Sequence, residues 1–241
     1  DLPKGSEFTS FQDALEFVFK LAQEKRIVLV IDEYPYVAKA SKSLASTLQL
    51  MIDKHKDASK LFLILCGSSM SYMEDHVLAY KAPLYGRRTA QLKVQPFEFM
   101  EACKHFPKFA AEDKAIAYGI VGGTPQYLLQ LDDGLSIKEN IKKIFLNPSS
   151  FLFEEPTNLL KQEGREPAIY NAIITAIATG GTKLSEISSK VGEDTSVCAT
   201  YIRNLISLGI VKKETPYGES SGRKTIYSIE DNMFRFWYRF V

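Results

Sequence analysis

The sequence predicts an α/β chain with a parallel sheet, then a helical section, then a C-terminal module of winged-helix type. Three observations carry this. Ile27-Val28-Leu29-Val30-Ile31 and Leu61-Phe62-Leu63-Ile64-Leu65-Cys66 are uninterrupted apolar runs with a helical period between them, the pattern of parallel strands buried on both faces and joined by a right-handed crossover. From Pro96 onward the apolar spacing is helical. Beyond residue 166, three short apolar-faced helices precede two alternating strands.

Composition sets the bounds. The 241 residues are 45% hydrophobic and 24% charged, with a formal net charge of +1. This describes a soluble protein of two or three small domains with no global basic field for nucleic acid, so any such site is local. Cys66, Cys103 and Cys198 are odd in number, far apart and without CxxC spacing, so neither a disulfide framework nor a zinc site is suggested, and a reducing cytoplasm fits best. No apolar stretch approaches the roughly 20 residues that span a bilayer, and the first residues lack the pattern of a signal peptide. No membrane partner is expected.

In chain order, residues 1–7 are polar, and Phe11, Ala14, Leu15, Val18, Phe19 and Ala22 then recur at helical spacing, with Thr9 or Ser10 available as N-cap. This amphipathic helix feeds the first strand. Tyr34-Pro35-Tyr36 breaks the pattern after Asp32-Glu33, and Leu44, Leu48, Met51 and Ile52 mark a helix leading to the second strand. A short strand is expected at 91–94. Helices then begin near Phe97 and at Ala111, and Gly122-Gly123-Thr124-Pro125 turns sharply into another. Two more are expected at 136–145 and 149–161.

Chemistry concentrates where the two strands end. A buried strand that delivers Asp and then Glu at its C-terminal edge is the Walker B strand of P-loop nucleotide hydrolases: Asp32 would hold Mg²⁺, and Glu33 would polarise the attacking water. Gly67-Ser68-Ser69 lies at the same sheet edge, where ligands bind in open α/β sheets. These residues either turn the chain or, as sensor 1, contact the γ-phosphate or the water. Arg87 and Arg88 either stabilise phosphoryl charge as an arginine finger does or form a surface pair.

Together these strings carry a family resemblance. Ile31-Asp32-Glu33, Cys66-Gly67-Ser68-Ser69, Pro83-Leu84-Tyr85-Gly86-Arg87-Arg88-Thr89 and Gly122-Gly123-Thr124-Pro125-Gln126-Tyr127-Leu128 follow in order. Glu166-Pro167-Ala168-Ile169-Tyr170, Ala176-Ile177-Ala178, Lys183-Leu184-Ser185-Glu186-Ile187 and Asp231 to Phe240 continue the series. The chain resembles the archaeal-type ATPases, P-loop proteins of the AAA+/STAND kind, over nearly its whole length. The resemblance implies an incomplete P-loop ATPase core over 1–96, a helical lid over 97–165, a winged helix over 166–230 and an aromatic segment over 231–241. It also implies ATP and Mg²⁺ as ligands, with Asp32 and Gly67 on the nucleotide side. Glu33, Ser68, Ser69, Arg87 and Arg88 would be the catalytic group.

One departure bears on activity. The Walker A loop, GxxxxGK[ST], belongs upstream of the Walker B strand, and Lys4-Gly5-Ser6 is only a partial echo of it. The expectation is an N-terminally truncated piece that neither binds ATP tightly nor hydrolyses it, because phosphate cradle and lysine are missing.

In the winged helix, the helices span 168–178, 184–191 and 196–208, and the strands flank a Gly/Ser-rich tip at 217–223. Such a module places its third helix in a DNA major groove and its wing on phosphates. Thr200, Arg203 and Asn204 are then the helix contacts, and Arg223 and Lys224 the wing contacts. A single arginine on that helix is sparse for phosphate tracking, which leaves protein docking as the other use. Phe234-Arg235-Phe236-Trp237-Tyr238-Arg239-Phe240 reads as a terminal helix that packs on the core; left exposed, it would favour self-association. The reading opposed to an ATPase is a non-enzymatic DNA- or protein-binding module on an α/β scaffold.

Overall fold

A computed structural model describes residues 8–163, 166–217 and 224–241, and the chain divides into two compact units between Leu92 and Lys93. In the first unit, helix α1 (Phe11–Glu24) leads into β1 (Ile27–Ile31), followed by α2 (Tyr34–Ala40), α3 (Leu44–His55) and β2 (Leu61–Leu65). A single turn α4 (Met70–Tyr72) continues as a π-helix over Met73–Leu78. Ser10 caps α1 by accepting the Asp13 N–H at 3.1 Å, and its hydroxyl donates back to the Asp13 carboxylate at 2.7 Å. The exchange satisfies a donor that a helix start leaves unpaired. Leu15, Phe19 and Ala22 form the buried stripe of α1, which is the face the spacing predicts.

Strands β1 and β2 pair in parallel, Ile27 opposite Leu61 through Ile31 opposite Leu65. Leu29, Ile31, Leu61, Leu63 and Leu65 pack on the core of Leu15, Phe19, Tyr34, Leu44, Leu48 and Met51. Burial on both faces is corrected here. Val28, Val30 and Phe62 are 58%, 51% and 47% exposed, because the described elements cover one side of this two-stranded sheet. The strand expected at 91–94 does not form: these residues are exposed and extend without a ladder. Alternation of Leu92 and Val94 creates the capacity for a strand, but pairing needs a neighbouring strand to supply the other half of each hydrogen bond.

The second unit is helical. It holds α5 (Phe99–Ala102) with a 3₁₀ turn at Cys103–His105, α6 (Ala111–Val121), α7 (Pro125–Leu128), α8 (Ile137–Ile144) and α9 (Phe151–Glu163). Then come α10 (Pro167–Ala178), α11 (Leu184–Val191), α12 (Thr195–Ser207), β3 (Val211–Glu214), β4 (Ile226–Ile229) and α13 (Asn232–Phe240). β3 and β4 are antiparallel, Val211 opposite Ile229. One continuous core joins Phe106, Phe145, Leu152, Ile173, Ile187, Leu205 and Phe234, so the helices before residue 166 and those after it stand on shared side chains. The aromatic string is α13. Met233 and Phe234 are buried, the Trp237 indole donates to the Phe153 carbonyl at 3.0 Å, and Asn232 donates to the Tyr118 carbonyl at 2.9 Å. No helix among the described residues is long and apolar enough to cross a membrane.

The start of α13 carries a titratable cluster. Asp231 caps the helix by accepting the Phe234 N–H at 2.9 Å, while the Tyr127 hydroxyl donates to Glu155 at 3.0 Å. Burial pushes the Glu155 carboxyl up, and the neighbouring Asp231 adds to the shift against the lowering effect of the Tyr127 bond. A carboxyl raised in the folded state favours folding while protonated. That contribution is present at acid pH and is lost as pH rises through the raised folded value. Glu155→Gln is therefore expected to raise the urea midpoint at pH 7.5 and leave it nearly unchanged at pH 4. Equal midpoints of the two proteins at both pH values would remove Glu155 from the balance.

Candidate active site

The candidate site is the edge where β1 and β2 end side by side. Asp32 and Glu33 leave β1, and α2 starts at the next residue with Pro35 in its first turn. The abrupt change of direction falls on Glu33, whose φ of 47° is the sole positive value among described non-glycine residues. Such a conformation costs on the order of 1–2 kcal/mol for an L-residue and persists only where its surroundings enforce it. Here they do. The Glu33 N–H donates to Asp32 Oδ1 at 2.9 Å, and the Tyr34 N–H donates to the Cys66 carbonyl at 2.9 Å. The ring of Tyr34 sits in the core, where burial pushes its hydroxyl up to about 12.

From β2 come the facing groups. The Cys66 N–H donates to the Ile31 carbonyl at 3.2 Å, which carries the pairing one residue beyond the strands. The Cys66 thiol donates to Asp32 Oδ1 at 3.3 Å. That hydrogen bond, burial and the adjacent carboxylates all push the thiol up, so it remains a donor at neutral pH. The Ser68 hydroxyl reaches both Glu33 carboxylate oxygens, at 3.1 and 3.3 Å. A Cβ on Gly67 would lie 2.4 Å from Pro35 Cδ, so glycine is what lets α2 start this close to the β2 edge. Ser69 follows as the residue before α4.

Asp32, Glu33, Cys66 and Ser68 are thus brought together. Asp32 is exposed and Glu33 half-buried, and among the described residues both hydrogen bonds to the Asp32 carboxylate fall on Oδ1. No group of three or more His, Cys, Asp or Glu side chains able to hold a metal occurs among the described residues. Mg²⁺ does not need one: it is commonly held by one or two carboxylates together with substrate phosphates and water. Asp32 fits that role.

Arg87 is placed differently from Arg88. Its Nε and Nη2 donate to the two Asp53 oxygens at 2.8 and 2.7 Å, and its Nη1 donates to the Pro83 and Tyr85 carbonyls at 2.9 and 3.2 Å. This bidentate pair ties the loop to the end of α3 and holds the Asp53 carboxyl below the usual carboxylate range. Arg88 is exposed. Sequence reasoning missed Asp53 as the arginine's partner. It also missed the thiol of Cys66, whose signal was its place at the end of the strand beside Asp32.

The expected nucleic-acid contacts lie in the second unit. Thr200 and Arg203 are exposed on α12, and the Arg203 guanidinium donates to the Thr200 hydroxyl at 3.1 Å. Asn204 donates to the Tyr170 hydroxyl at 2.9 Å, a contact between α12 and α10. Lys224 is exposed just before β4, and Arg223 lies outside the described residues.

Residues 6–131 match the family described as an ATPase domain predominantly from Archaea. An uncharacterized protein of Methanocaldococcus jannaschii is 36% identical over 227 residues, covering 94% of this chain and 51% of the relative. The chain therefore spans about half the length of the curated relative it matches. Among solved structures, the Walker-type ATPase of Pyrococcus abyssi superposes with a TM-score of 0.69 at 20% identity, over 95% of this chain and 68% of the other, which is a likeness of fold. With more than half of its residues inside the family match, this chain belongs to the family of ATPase domains found predominantly in Archaea.

Proposed function

We propose that these residues are part of an ATP-hydrolysing protein of the AAA+/STAND kind, with the β1/β2 edge as its hydrolytic centre and β1 as its Walker B strand. The observation that carries this is the Ser68 hydroxyl on the Glu33 carboxylate at 3.1 Å, one strand supplying the base and its parallel neighbour supplying the group that holds it. Asp32 holds the Mg²⁺ of Mg·ATP. When bound, that ion offsets charge on the phosphate oxygens. Glu33 accepts a hydrogen bond from the attacking water and aligns it with the γ-phosphorus. Ser68 and Ser69 act as the sensor that reports the γ-phosphate, with Gly67 beside the nucleotide. Arg88 stabilises the developing phosphoryl charge, and Arg87 braces the loop that presents it.

The phosphate cradle, a Walker A loop, comes from sequence outside these residues, a reading supported by the open Val28, Val30 and Phe62 face and by the length of the relative. The 241-residue piece alone then neither binds ATP tightly nor turns it over. Residues 97–165 form the lid and 166–230 a winged helix through which nucleotide state reaches a partner. Glu193 and Asp194 precede α12, and Asn204 is engaged by Tyr170. The acidic pair favours a protein over duplex DNA as that partner, since phosphate tracking needs unopposed cations, and the Asn204 amide is already engaged where a base contact would need it.

Titration with a fluorescent ATP analogue tests the proposal. Micromolar binding by the full-length protein and none by the 241-residue piece is expected. Micromolar binding by the piece would contradict the division of the site.

A further inference from the structure

Asp32 is exposed, and a short exposed carboxylate turns freely about its side-chain bonds unless something holds it. Two donors do so here, and both use the same oxygen. The Glu33 N–H and the Cys66 thiol meet Asp32 Oδ1 at 2.9 and 3.3 Å. The same S–H has the Ile31 carbonyl as a more distant second acceptor at 3.8 Å, and the Cys66 backbone is clamped on both sides, its N–H by Ile31 and its carbonyl by Tyr34. With its backbone held, Cys66 keeps its sulfur within reach of the carboxylate and, together with the Glu33 N–H, restricts how that carboxylate turns. Both bonds engage Oδ1, which leaves Oδ2 for a ligand. We infer that Cys66 is a positioning residue for Asp32, holding its carboxylate in the orientation that receives a divalent cation. The inference rests on the hydrolase reading above. It adds to that reading a role for the side chain of the residue preceding Gly67.

Partners that orient a metal-binding group typically change metal affinity by tenfold or more when removed. In the full-length protein, Cys66→Ala is expected to raise the Mg²⁺ concentration for half-maximal ATP turnover about tenfold. Turnover at saturating Mg²⁺ should stay close to that of the parent. Cys66→Ser keeps a hydroxyl donor and is expected to restore most of the Mg²⁺ affinity. Uptake of Mn²⁺ in the presence of ADP, followed by electron paramagnetic resonance on the same three proteins, should show the same order, and their melting curves should coincide. Unchanged Mn²⁺ and Mg²⁺ dependence in Cys66→Ala, or a serine variant as impaired as the alanine variant, would overturn the positioning role and leave the hydrolase reading intact. A parent protein that neither turns over ATP nor takes up Mn²⁺ would overturn both.

Discussion

Glu33→Gln in the full-length protein is expected to lower ATP turnover by about 10²–10⁴-fold while leaving ATP affinity within a few-fold of the parent. The amide keeps the size of the side chain and can still accept a hydrogen bond from Ser68, whose hydroxyl lies 3.1 Å from the carboxylate. What it loses is the negative oxygen that, in the proposed mechanism, polarises the water. The effect therefore belongs in kcat and not in binding, because the interaction strengthens only as the water is attacked. A fall in affinity that matched the fall in kcat would mean that the substitution had disturbed the left-handed turn at Glu33, where φ is 47°, instead of the chemistry. Phosphate release and nucleotide binding, measured side by side, separate the two.

The second large effect is on stability. A Cβ added to Gly123 would lie 1.8 Å from the Phe97 carbonyl oxygen and 2.8 Å from the Phe97 nitrogen, and the Phe97 N–H donates to the Gly123 carbonyl at 2.8 Å. Neither neighbour is a flexible side chain that could swing away. Gly123→Ala must separate two backbone segments and stretch the hydrogen bond between them, so a loss of about 1–3 kcal/mol or more is expected. Urea unfolding of residues 93–241, followed by the fluorescence of Trp237, should show the midpoint fall. An unchanged midpoint would mean that the approach of Phe97 to Gly123 is looser than described. The turn at Gly122 is a separate matter, since its φ of 70° concerns conformation and not contact.

Much of the first unit was legible from period alone. The apolar runs became β1 and β2 in parallel register, and the stripe Leu15, Phe19, Ala22 became the buried face of α1. The error about β1 has a simple cause. A run such as Ile27 to Ile31 states that both faces can be buried, whereas actual burial depends on what covers them, and Val28 and Val30 remain half-exposed. The same holds at 91–94, where alternation gives the capacity for pairing and not the partner. In the site, Asp32, Glu33 and Ser68 could be named because a motif places them at one sheet edge. The Arg87 pair with Asp53 spans 34 residues, and no local pattern announces a contact set by tertiary packing. Cys66 was hidden for a different reason. A lone cysteine at a strand end reads as an apolar filler until its thiol is seen 3.3 Å from a carboxylate.

The claim that the β1/β2 edge is a hydrolytic centre is tested most directly by phosphate release from γ-labelled ATP by the full-length protein, with and without Mg²⁺. The account predicts release that requires Mg²⁺ and disappears in Asp32→Ala. Mg²⁺-dependent release that persisted undiminished in Asp32→Ala would place the chemistry elsewhere in the protein and contradict it.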